Sequence, residues 1–138
     1  MPKDADALSV LVIDEETEVL CFLAGILNAN GMRALLAHNA DEAIGIANRG
    51  YVPIDLVLTD VVLKPDDSGL ELVSELRRLR PGIRALYMSA RLDSEVIRIA
   101  LMDGDSPIWK RSDDPGLIEA IRAAASAPLT HAAGFGPH

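Results

Sequence analysis

Short apolar runs alternate along this chain with stretches whose apolar residues recur every third or fourth position. Leu8–Ile13, Met32–Ala37, Ile54–Thr59, Ile83–Met88 and the shorter Ile108–Lys110 are too brief for helices and read as strands. Between them lie helical patterns. Thr17 is a candidate cap for the first, which carries Leu20, Leu23 and Leu27 and stops at Asn30-Gly31. Asn39 or Asp41 opens the second, with Ala43, Ile44 and Ala47, and Gly50 ends it. The third, Leu70–Arg80, closes on Arg77, Arg78 and Arg80, cations suited to a helix carboxyl end. A fourth is expected over Ser94–Met102 and a fifth over Pro115–Ala125. Strands alternating with helices predict a parallel sheet joined by right-handed crossovers, a doubly wound α/β domain.

Composition narrows this picture. A chain of 138 residues, 49% apolar but only 4% aromatic, suits one domain with an aliphatic core. The expected organisation is an extension over 1–7, one domain over 8–126 and a loose tail over 127–138, where His131 and His138 lie without periodicity. The single cysteine, Cys21, excludes an internal disulfide and, inside a helical pattern, is expected to be a buried structural thiol. A net charge of −8 argues against nucleic acid as a partner, whose backbone needs a basic footprint. No signal-peptide core or transmembrane-length apolar run is visible, so a cytoplasmic protein with no membrane partner is expected.

The chemistry gathers at the predicted strand ends. Asp14 and Glu15 follow the first strand, Asp60 the third, Ser89 the fourth, and Lys110 ends the fifth. In a doubly wound sheet these ends converge on one crevice. Three carboxylates held together raise one another's pKa unless a cation sits among them. Oxygen ligands in an open site suit Mg²⁺. A carboxylate beside that ion can attack a phosphoryl group, whose oxygens the ion and an ammonium would neutralise. A hydroxyl at Ser89 could bond the attached group, and Ala90 leaves room for it.

The set resembles the receiver domain of two-component response regulators. Val12-Ile13-Asp14-Glu15-Glu16 is similar to that family's acidic pair, and Leu58-Thr59-Asp60 with Ser68-Gly69-Leu70 to its phosphoacceptor strand and loop. Tyr87-Met88-Ser89-Ala90 is similar to its switch hydroxyl with a small neighbour, and Lys110 to the lysine of its last strand. The resemblance covers about Leu8 to Ala125. It implies a flavodoxin-like (βα)₅ fold with strand order 2-1-3-4-5 and a stand-alone domain that is not an enzyme. Asp60 would accept phosphate from a histidine kinase or a histidine phosphotransfer protein. Glu15, Asp60 and the backbone carbonyl of Val62 would bind Mg²⁺, with Asp14 nearby, and Ser89 and Lys110 would hold the phosphoryl group. A downstream protein would read the face formed by the fourth helix, fifth strand and fifth helix.

Several positions depart from the family pattern. Glu15 stands where Asp is usual, one carbon–carbon bond longer, roughly 1.5 Å. The loop after Asp60 is longer by one residue, with Lys64 before Pro65. Arg111 follows Lys110 where proline is usual, and Pro107 replaces an aromatic switch residue. Trp109 shares the face parity of residue 107 and is a candidate substitute for it. In the family, the positions that Val62 and Arg91 occupy flank the path of attacking water, and the resemblance therefore implies slow self-dephosphorylation. The alternative reading is a degenerate receiver that binds partners without phosphate. An aspartyl phosphatase fits less well, because Asp14 is followed by two glutamates and not by an aspartate two positions on. A flavodoxin-like cofactor binder fits least, because the acidic loop after the first strand repels phosphate.

Overall fold

The computed structural model describes residues 7–60, 69–88, 108–109 and 116–126. Their elements are β1 (Ser9–Ile13), α1 (Thr17–Ala29), β2 (Arg33–Ala37), α2 (Ala40–Ala47), β3 (Leu56–Asp60), α3 (Gly69–Leu79), β4 (Arg84–Met88), β5 (Ile108–Trp109) and a C-terminal helix, Leu117–Ser126. The strands form one parallel five-stranded sheet in the order β2-β1-β3-β4-β5. This is the doubly wound α/β architecture that the alternation predicts. The predicted helix over 94–102 and the tail lie outside the described residues.

Every residue of β1 is buried, as is Leu56–Thr59 of β3, because helices cover both faces of the sheet. Alternate residues of β1, β3 and β4 feed two separate cores. On one side Leu11, Ile13, Val57, Ala85 and Tyr87 meet Ala43 and Ala47 of α2 and Leu72, Val73 and Leu76 of α3. On the other, Val10, Val12, Leu56, Leu58, Leu86 and Met88 meet Leu20, Leu23 and Leu27 of α1 and Leu117, Ile121 and Ala124 of the last helix.

The turns that return the chain to the sheet have identifiable chemistry. Gly31, at φ 78°, ends α1: its amide donates to the carbonyl of Asn28, and the Met32 amide to that of Leu27. This paired return over a left-handed residue directs the chain into β2. Asn39 caps α2, its Oδ1 accepting the Glu42 amide at 2.8 Å. Arg80 closes the other end of α2, its guanidinium donating to the carbonyls of Ala47 at 3.1 Å and Arg49 at 2.7 Å.

Three expectations are corrected. Thr17 is the first residue of α1 and not its cap; Glu16 holds the cap position and makes no side-chain capping bond. Cys21 is exposed, because the buried stripe of α1 runs through Leu20, Leu23 and Leu27 and leaves the next position facing out. Asp55 lies before β3 instead of within it: its carboxylate accepts the Ser9 amide at 2.8 Å, and its own amide donates to the Ser9 carbonyl.

The Ser9 hydroxyl, in contrast, is buried without a hydrogen-bond partner among the described residues. An unsatisfied buried hydroxyl costs on the order of 1 kcal/mol or more. Ser9→Ala leaves the Asp55 contacts in place, since both use the backbone of residue 9. It should stabilise the domain by about 1 kcal/mol, read as a higher urea midpoint at unchanged slope.

Candidate functional site

The carboxyl edge of the sheet is where the strand register brings separate parts of the chain level. Ile13 of β1 pairs with Thr59 of β3, Thr59 with Tyr87 of β4, and Tyr87 with Ile108 of β5. One step further, Asp60 pairs with Met88 and Met88 with Trp109, while Asp14 is the first residue beyond β1. Asp14 and Asp60 are therefore level on adjacent strands, at the edge where doubly wound sheets bind ligands. The Asp60 side chain lies outside the described part, as does that of Trp109. Val62, Ser89, Ala90, Arg91, Pro107, Lys110 and Arg111 lie wholly outside the described residues. Ser89 and Lys110 directly follow Met88 and Trp109 in the chain.

The loop between β1 and α1 is described in full. The Asp14 amide donates to the Ala37 carbonyl at 3.1 Å, tying the loop to the end of β2. Its Oδ1 accepts the Glu16 amide at 2.9 Å, a tight turn that places Glu15 at the tip, exposed to solvent. Partial burial pushes the Asp14 carboxyl above its ordinary value; the Glu16 amide opposes this and the Glu15 charge adds to it. A negative charge is thus held where water solvates it incompletely and a second acid stands beside it. That donor set, oxygen only, fits a hard divalent cation. Among the described residues no three acidic, histidine or cysteine side chains form a metal-sized cluster. A third ligand from this edge would have to come from Asp60 or the chain after it.

The far side of the loop carries a constellation that periodicity does not reveal. Thr17 Oγ1 and His38 Nε2 share a hydrogen bond at 3.0 Å. Glu42 Oε1 accepts the His38 amide at 2.7 Å and lies 3.1 Å from His38 Nδ1. These two bonds, the backbone one first, hold the Glu42 carboxyl below its ordinary value. The one sequence signal was Asn39-x-x-Glu42, a capping-box spacing whose Glu reaches back here to His38, one residue before the cap.

Comparison with known proteins agrees with the geometry. The pattern of the response regulator receiver domain matches residues 10–122. The probable transcriptional regulatory protein TcrX of Mycobacterium tuberculosis is 34% identical over 122 residues, 87% of this chain and 50% of TcrX. The chain spans half or less of the length of the curated relatives it matches. Among solved structures, a CheY-like receiver domain protein from Methanospirillum hungatei is similar with a TM-score of 0.76 at 25% identity, over 87% of this chain and 94% of that one. A response regulator from Burkholderia pseudomallei, solved with a phosphorylated aspartic acid, a calcium ion and citrate, is similar with a TM-score of 0.71 at 27% identity, over 94% of this chain and 72% of that one. The sheet order, the acids level at its carboxyl edge and the sequence match over 10–122 agree: the chain belongs to the receiver domains of two-component response regulators.

Proposed function

We propose that this receiver domain is switched by a phosphoryl group accepted on Asp60. The observation that carries the reading is the register that brings Asp14 and Asp60 level at the carboxyl edge of the sheet. The Burkholderia relative, with its phosphorylated aspartic acid and calcium ion, supports both the acceptor chemistry and a divalent cation beside it. A Thermotoga maritima response regulator solved with Mg²⁺ and beryllofluoride shares the fold, with a TM-score of 0.69 at 23% identity.

In this reading an Asp60 carboxylate oxygen attacks phosphorus of a phosphohistidine on a histidine kinase or phosphotransfer protein. The new P–O bond forms as the P–N bond breaks, and the imidazole leaves. Asp14, Glu15, Asp60 and the Val62 carbonyl would hold Mg²⁺, which supplies charge neutralisation for the transferring group. Lys110 would pair with a phosphoryl oxygen and Ser89 would donate a hydrogen bond to another. The response passes to a downstream protein through the face of residues 94–102, β5 and the C-terminal helix, with Trp109 as its aromatic reporter. Among the described residues no helix is long and apolar enough to cross a membrane, and we place the domain in the cytoplasm.

Intact mass after incubation with acetyl phosphate and Mg²⁺ tests this directly. Wild type should gain one phosphoryl group, and Asp60→Ala none. No adduct on wild type, together with no Mg²⁺ binding, would replace the reading with a phosphate-independent binding module.

A further inference from the structure

The loop that carries the acid pair is tied to the exit of β2 at both of its ends. At its start the Asp14 amide bonds the Ala37 carbonyl, a backbone contact that any sequence can make. At its end the tie is made by side chains, Thr17 Oγ1 to His38 Nε2 at 3.0 Å. Residues 37 and 38 are adjacent, so the loop is gripped from two successive positions, with Glu15 between the two grips.

The imidazole is itself braced. Glu42 accepts the His38 amide and faces Nδ1 with the same oxygen, and the Glu42 amide is fixed by the Asn39 cap. A continuous path of hydrogen bonds therefore runs from the first turn of α2 through His38 to the first residue of α1. Since α1 lacks a side-chain cap at Glu16, this path adds to the Asp14–Glu16 turn a side-chain restraint on the first residue of α1.

We propose that His38 is a positioning residue for the divalent-cation site, bracing the loop of residues 14–16 against α2 through Thr17. The role rests on the metal-binding part of the phosphoacceptor reading. It also answers a geometric need at position 15. Glu15 is longer than the aspartate usual at its position, and Mg²⁺ accepts little departure from octahedral geometry. A longer side chain can serve only if the backbone under it is held in place, which a braced loop does. Groups that orient metal ligands without touching the metal are worth about 10–100-fold in affinity.

The test is Mg²⁺ affinity by calorimetry for wild type, His38→Ala, His38→Gln, Thr17→Val and the His38→Ala/Thr17→Val pair. His38→Ala and Thr17→Val should each weaken Mg²⁺ binding by about tenfold. The double substitution should be no worse than either alone, since both cut one path. Gln reaches the Thr17 hydroxyl with its carboxamide and should recover most of the affinity. In chelator, where no metal contributes, the amides of Glu15 and Glu16 should exchange faster in His38→Ala than in wild type.

Affinity within twofold of wild type in both single variants, or additive losses in the double, would overturn the bracing role while leaving the phosphoacceptor reading intact. A wild-type protein that binds no Mg²⁺ would remove the bracing role, and would remove the phosphoacceptor reading as well only if it also gains no phosphoryl group from acetyl phosphate. Should His38→Ala fail to fold, His38→Gln and Thr17→Val carry the same comparison.

Discussion

An Asp14→Asn chain should be more stable than wild type in chelator and almost indifferent to Mg²⁺. The carboxylate at Asp14 is partly buried beside Glu15, and both circumstances disfavour its charge. Asn keeps an Oδ1 to accept the Glu16 amide, so the turn survives while the charge goes. The sign with pH follows. A carboxyl whose folded pKa lies above its unfolded value binds the extra proton in the folded state. Its stability contribution is therefore lost as pH rises from the unfolded value, 3.8, through the raised folded one. Wild type and variant should have similar stability below that window and separate above it, with the variant ahead. Because Asp14 is only partly buried, the gap should stay below about 1 kcal/mol. On the cation site proposed above, adding Mg²⁺ should reverse the order: wild type gains stability by mass action, and the variant gains little. Thermal melts across pH, with and without Mg²⁺, read both effects. A variant that melts below wild type in chelator at neutral pH would show that the charge is already compensated in the metal-free protein.

Leu58→Ala should have the largest effect on stability. Leu58 is fully buried in the central strand, within the core that α1 and the C-terminal helix close. Truncating such a leucine costs about 2–5 kcal/mol through lost transfer energy and the cavity left behind. For a domain of this size, 1 kcal/mol corresponds to roughly 3 °C, so the melting temperature should fall by roughly 6–15 °C. Leu36→Ala makes the natural control, because Leu36 is 37% exposed on the edge strand and should cost much less. Equal losses at the two positions would contradict the burial described here.

The strands and described helices were legible because each buries a stripe or run that hydropathy marks, and their ends fell within about two residues of those seen. The acids at the sheet edge were legible for a related reason: a charge directly after an apolar run marks where the chain leaves the core. Cys21 was misread because the outward face of α1 is also apolar. With Cys21 and Phe22 both exposed, composition could not distinguish the inner stripe from the outer one. The contact between Thr17 and His38 was not legible for a different reason. Their meeting depends on how α1 and β2 dock across 21 residues of chain, and no local period encodes that. Ser89, Lys110 and the loop after Asp60 remain sequence assignments, with their roles proposed through the family.

The acids that flank β3 have a consequence for how the sheet finds its alignment. Strands buried on both faces carry no alternation of polar and apolar residues to penalise a slip of one position. Leu56–Thr59 is such a run, bounded by Asp55 and Asp60. Sliding the strand one way would carry the Asp60 carboxylate into the sealed position of Thr59. Sliding it the other way would carry Asp55 into that of Leu56 and break its bond to Ser9. Either shift buries an unpaired charge at a cost of several kcal/mol. The two aspartates thus act as bookends, and the residue assigned to chemistry also keeps its own strand from being threaded out of step.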